Sequence, residues 1–249
     1  MLRVIASRIG IALIALTAFS GGAMAGEKNA LTDAERAEVK QLVREYILAN
    51  PEIISEAVEA LDKKMAKGKA DQRTATIAKR RQDLFSPAEG TVIGNAKGDV
   101  TVVEFFDYNC GYCKSMFQAI AELLKEDRNM RLVLKEYPIL GPSSMTASRA
   151  ALAARKQGKY ADIHLALLNH KGQLSDATVM DIAGKVGLDV KKLENDMKDP
   201  AITDIIVKNH NLADELGIDG TPSLIVGDAF VPGAIPKEKL VEYIAEARK

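Results

Sequence analysis

Cys110 and Cys113 are the only cysteines in this chain, and two residues separate them in Cys110-Gly111-Tyr112-Cys113. At that spacing one thiolate can attack a disulfide and the second thiol can resolve the mixed disulfide that results. A structural staple is the poorer reading. The loop it closes is too short to remove much unfolded-chain entropy, and a chain of 249 residues can bury a core without it. His164 and His170 complete a superficial C-x2-C plus H-x5-H pattern. About fifty residues intervene where a zinc finger has a short loop, so no metal site is expected. His164 and His210 read instead as ordinary helix residues and His170 as a loop residue. Covalent haem attachment needs histidine directly after the second cysteine, where this chain has Lys114. Cu(I) favours two thiolates, so its binding stays open as a secondary activity of the reduced pair.

The elements that must position the pair can be read on both sides of it. Residues 100–108 are an apolar, β-branched and aromatic run suited to a buried strand. From Gly111 the pattern turns helical, with Met116, Phe117, Ile120, Leu123 and Leu124 on one face. Cys110 then falls at the helix N-terminus, where unpaired N–H groups and the dipole lower a thiol from about 8.5 into the range of roughly 3.5 to 7.5. Cys110 is the expected nucleophile, and Cys113, more enclosed, the resolving thiol. Glu104 interrupts the apolar strand. Buried there, its carboxyl is raised and can relay the proton of Cys113; under strict strand alternation it faces solvent instead. Lys135, on a second strand over 130–137, is a candidate partner for Glu104. Helices follow over 144–156, 160–168, 175–186 and 190–216, with a break near Asp199-Pro200. A strand, a turn and a short strand occupy 221–233, and an amphipathic helix closes the chain over 236–248.

This α/β order resembles the thioredoxin fold in its DsbA-like form, with a helical insertion over about 142–216. Two features carry the likeness: CGYC opening a helix after a buried strand, and Gly220-Thr221-Pro222 ahead of the third strand. The resemblance covers residues 92–249, within a catalytic domain expected over 89–249. It implies a cis-proline loop at Thr221-Pro222 beside the dithiol, with the Thr221 backbone free to pair with an extended substrate whatever its sequence. It also implies that Glu104 is the family's buried acid and that the redox-active disulfide is the sole cofactor. Gly111 and Tyr112 tune the pair. Strong oxidants of this family carry histidine at the position of Tyr112, so tyrosine implies a less stabilised thiolate and a weaker oxidant. The partners implied are unfolded or misdisulfided exported proteins and a membrane redox protein.

Residues 1–25 read as a cleaved secretory leader, with Arg3 and Arg8, a short apolar run and Ala23-Met24-Ala25. Export to the periplasm is the expectation. The 34 basic and 34 acidic side chains balance, and no basic footprint for nucleic acid appears. Residues 26–88 form a helical extension. Thr32 to Glu35 is a capping box, Val39, Leu42, Val43, Tyr46 and Ile47 share one helical face, and Asn50-Pro51 opens a second helix with Ile53, Ile54, Ala57, Val58 and Leu61. The charged stretch over 62–81 reads as a stalk or hinge. The segment over 49–61 resembles the suppressor-of-copper-sensitivity C branch of the DsbA-like family, which implies self-association through residues 27–88 and disulfide isomerisation. The competing expectation folds the extension back on its own domain. Two alternatives to an isomerase stand beside it: a monomeric dithiol oxidase and a copper-binding, copper-tolerance thiol protein.

Overall fold

The computed structural model describes residues 31–88 and 90–249; the expected leader at 1–25 lies outside the described residues. The chain divides into two units, one reaching Ala60 and one running from Leu61 to Lys249. The first contains α1 (Asp33–Ala49), and α2 (Glu52–Lys79) crosses the division. The capping box forms as the sequence predicts: the Glu35 N–H donates to Thr32 Oγ1 at 3.3 Å, and the Thr32 N–H donates to Glu35 Oε2 at 2.7 Å. Pro51 lacks an N–H, which separates the two helices. No side chain of α1 is buried. Val39, Leu42, Val43 and Tyr46, and Ile54 and Val58 of α2, are exposed.

The second unit adds, in chain order, α3 (Arg81–Phe85), β1 (Val92–Gly94), β2 (Val100–Phe106), α4 (Gly111–Glu126), β3 (Met130–Glu136), α5 (Pro142–Ala154), α6 (Tyr160–Asn169), α7 (Asp176–Lys185), α8 (Val190–Asp196), α9 (Pro200–Leu216), β4 (Ser223–Val226), β5 (Ala229–Pro232) and α10 (Lys237–Ala247). The strands form one sheet in the order β1-β3-β2-β4-β5. β2 and β3 are parallel, joined through α4, and the other pairs are antiparallel. β1 was not read from the sequence, since three residues are too few to show a period.

Alternation along the central strands sends their side chains into two cores. Val102 and Phe106 face the core that holds α4 and the insertion, while Val103 and Phe105 face Ile77, Leu84, Leu212 and Leu216. The Cα register pairs Glu104 with Leu134 and Phe105 with Lys135, which puts Glu104 and Lys135 on opposite faces. The expected pairing of these two is therefore overturned. Lys135 instead donates to the Asp83 carbonyl at 2.7 Å. The last turns of α2 also depart from a solvated stalk. Ile77 is fully buried, and Arg73 donates to the carbonyls of Leu216 and Gly217 at 2.7 and 3.2 Å while its guanidinium lies 3.8 Å over the Phe230 ring.

The insertion begins with Pro142 in the first turn of α5. Ser175 caps α7, Asp189 caps α8 and Asp199 caps α9, where Pro200 takes the first helical position. Buried alanines at 147, 150, 151, 153 and 154 let α5 approach its neighbours closely. Among the described residues no helix is long and apolar enough to cross a membrane.

Candidate active site

β2 delivers its C-terminal end to the turn at residues 107–109, and α4 starts at once behind it. Cys110 is the N-cap of α4, with φ −75° and ψ 116°. The Cys113 N–H donates to Cys110 Sγ at 3.3 Å, which is the bond a capping side chain makes. The Cys110 thiol donates to the Thr221 carbonyl at 3.1 Å, and the Thr221–Pro222 peptide bond is cis. The structure thus brings Cys110, Cys113, Thr221 and Pro222 together. Both cysteines are free thiols.

Their environments differ sharply. Cys110 is lowered to about 6: the hydrogen bond with the Cys113 side chain is the largest cause, desolvation opposes it, and Thr221 and the backbone N–H groups of Cys113 and Tyr112 lower it further. Burial pushes Cys113 far up, and the neighbouring Cys110 and Glu104 add to it. Glu104 is 2% exposed, so the solvent-facing alternative fails. Burial first, and the Cys110 charge second, push its carboxyl up to about 8, and its Oε1 has no hydrogen-bond partner. Gly111 carries no side chain to crowd the pair and has open space where a Cβ would be. Tyr112 is 73% exposed.

Several residues that organise the site were not read from the sequence. Asp107 is fully buried and accepts four hydrogen bonds: from the Asn109 N–H at 2.7 Å, the Ile139 and Leu140 N–H groups at 2.8 and 2.9 Å, and the Ser144 hydroxyl at 2.8 Å. It ties the turn before Cys110 to the β3–α5 connection. Asn109 donates to Ser143 and Ser144 Oγ. Below them lies a buried polar group. The Tyr108 and Tyr160 hydroxyls donate to Glu136 Oε1 at 3.0 and 2.9 Å, and Tyr108 Oη lies 3.0 Å from His164 Nδ1. Burial raises Glu136 to about 8 and lowers His164 to about 3. His164 is a helix residue of α6, as expected, and it stands neutral in the core. A polar residue at 107 or 109, directly ahead of an N-cap, was the only available signal for this framework. Among the described residues no three His, Cys, Asp or Glu side chains converge to hold a metal ion.

The chain is similar to a thioredoxin-like oxidoreductase from Silicibacter pomeroyi DSS-3, with 47% identity and a TM-score of 0.65 over 68% of this chain and 97% of that one. It is similar also to Proteus mirabilis ScsC in a transitional conformation, with 30% identity and a TM-score of 0.64 over 88% of this chain and 97% of that one. Among curated proteins, it is 31% identical over 170 residues to Na(+)/H(+) antiporter NhaA 1 of Salinispora arenicola, covering 66% of this chain and 26% of that protein. The chain spans about a quarter of the length of the curated relatives it matches. Residues 35–67 match the copper resistance protein ScsC N-terminal domain. Residues 101–245, which hold β2 to β5 with the dithiol helix and the insertion, match the DSBA-like thioredoxin domain, and the chain belongs to that family.

Proposed function

We propose that this protein is an exported thiol:disulfide oxidoreductase that exchanges disulfides in periplasmic proteins, with isomerisation as its main activity. The observation that carries the reading is the split between the two thiols, one lowered to about 6 and the other raised by burial, three residues apart at one helix end. The Cys110 thiolate attacks one sulfur of a substrate disulfide, and the other sulfur leaves as a thiolate. The resulting mixed disulfide has two exits. A substrate thiolate can attack the substrate sulfur of that bond, which restores Cys110 and leaves a rearranged substrate with no net electron transfer. Alternatively Cys113 gives its proton to the Glu104 carboxylate and attacks Cys110 Sγ. The substrate then leaves reduced by two electrons and two protons, and Cys110 and Cys113 remain as a disulfide. The same steps run backward make an oxidase.

Thr221 presents its backbone carbonyl to Cys110, so a polypeptide paired along this loop would bring its sulfur to the nucleophile. Residues 26–88 supply self-association and 89–249 the chemistry, and a leader at 1–25 supplies export. A membrane redox protein resets the pair between turnovers. The deciding experiment is recovery of activity from a scrambled multi-disulfide protein in a glutathione buffer. Rapid recovery is expected, and recovery no faster than glutathione alone would reject the isomerase.

The match to a copper resistance domain favours one further reading, in which the reduced pair binds Cu(I) through two thiolates. One equivalent of Cu(I) held tightly, with exchange blocked at that stoichiometry, would support it; no binding in competition with glutathione would reject it.

A further inference from the structure

Two polar side chains bracket the dithiol in sequence without entering the exchange steps, Asn109 before Cys110 and Lys114 after Cys113, and both hold the same loop. This loop, residues 170–174, joins α6 to α7 within the insertion. Asn109 Oδ1 accepts from the Leu174 N–H at 2.7 Å. Lys114 Nζ donates to the carbonyls of His170 and Gly172 at 2.8 and 2.6 Å. One turn further along α4, Gln118 donates to Asn169 Oδ1 at 3.2 Å. The carbonyls of 170 and 172 can meet one ammonium because Gly172 takes φ +87°, a conformation that other residues rarely adopt. A half-buried ammonium costs desolvation, which these charge-assisted bonds offset. The ordering falls on a loop whose residues 171–173 are exposed.

A disulfide in a polypeptide brings its flanking chain with it. At about 3.3 Å per residue, three residues on either side of the attacked sulfur sweep a radius of about 10 Å, and a loop hydrogen-bonded to the residue next to Cys110 lies inside it. We infer that the 170–174 loop is a contact rim for polypeptide substrates, held beside the dithiol by Asn109 and Lys114 as positioning residues. These two residues thereby set the preference for polypeptide over small disulfides. The inference rests on the exchange reading above.

The test compares second-order rate constants for a disulfide-containing unfolded peptide and for hydroxyethyl disulfide, which has no chain to reach the rim. Lys114→Met removes the clamp from α4, and Gly172→Ala disturbs the loop without altering α4. The ratio of peptide to small-disulfide rate constants is expected to fall about tenfold in both variants, the scale of losing a charge-assisted hydrogen bond. An unchanged ratio would overturn the inference. So would an equal fall of both rate constants with a displaced Cys110 thiolate midpoint, since Lys114 would then act on the thiol. A parent protein that reacts with neither disulfide would instead sink the exchange reading itself, before any variant is compared.

Discussion

Glu104 sits behind the two thiols with its carboxyl raised to about 8 by burial and, second, by the Cys110 charge. A base of that strength suits the task of accepting the proton of Cys113, whose thiol is raised by the same burial. Glu104→Gln keeps the shape and removes the base. Resolution of a trapped mixed disulfide should slow by about a hundredfold while the initial attack by Cys110 is little changed; stopped-flow measurement of both steps checks this. The same substitution has a thermodynamic signature. The folded carboxyl titrates near 8 against an ordinary 4.5, so the native state holds a proton that the unfolded chain releases. Its stabilising contribution is full below about 4.5 and is lost as pH rises toward 8. Over that window the unfolding free energy of the Gln variant should gain on the parent by about 1.4 kcal/mol per pH unit. Glu136, also raised to about 8, titrates in both proteins and cancels in the difference. Tyr112 offers a simpler test. Tyr112→His adds a donor for the Cys110 thiolate, stabilises the reduced form and should raise the reduction potential, by about 30 mV for each 1.4 kcal/mol gained; equilibration with glutathione measures it.

α4 gathers the chemistry at one end because its first turn needs hydrogen-bond acceptors and a thiolate is one. Cys110 is lowered to about 6, chiefly by the Cys113 side chain, and a depressed folded value stabilises the native state above the unfolded value and loses that contribution as pH falls through the folded one. The reduced protein should therefore gain stability relative to its disulfide form as pH rises from about 6 to 9, and Cys110→Ser, which forms no disulfide, should lack that gain when compared with the reduced parent. Paired thermal melts across that range decide it; a pH-independent gap would count against a thiolate cap. Much of this element was legible in the chain, because an apolar strand, a CxxC and a helical period are local patterns. So were the capping box at Thr32 and the break at Asp199-Pro200, each written by adjacent residues. The framework around the dithiol was not. Asp107 meets Ile139, Leu140 and Ser144, and nothing in the spacing of those residues announces the contact. Lys135 was placed beside Glu104 although one residue of strand register decides the face, and that register is a property of the assembled sheet.

On the scale of the whole molecule, the first unit sets a problem that the catalytic chemistry does not. α1 buries none of its side chains, while Leu42 and Tyr46 on its apolar face are 57% and 62% exposed. A helix in that state lacks the packing of its apolar face that supplies most helical stability, and covering each such side chain contributes up to about 3 kcal/mol. Association between copies would supply the cover and would also hold several dithiols around one substrate. Effective concentration then makes a second attack on the same substrate intramolecular, which favours rearrangement over a single exchange. Leu42→Glu combined with Tyr46→Glu places two charges in that contact and touches no residue of the dithiol site. Sedimentation equilibrium should show the parent as an oligomer and the variant as a monomer. Recovery of a scrambled protein should fall by about a hundredfold in the variant, the lower end of what linked sites gain from effective concentration, with reaction toward a small disulfide unchanged. A parent that sediments as a monomer, or a monomeric variant that rearranges disulfides as fast as the parent, would separate the N-terminal helices from the chemistry and leave isomerisation to a single dithiol.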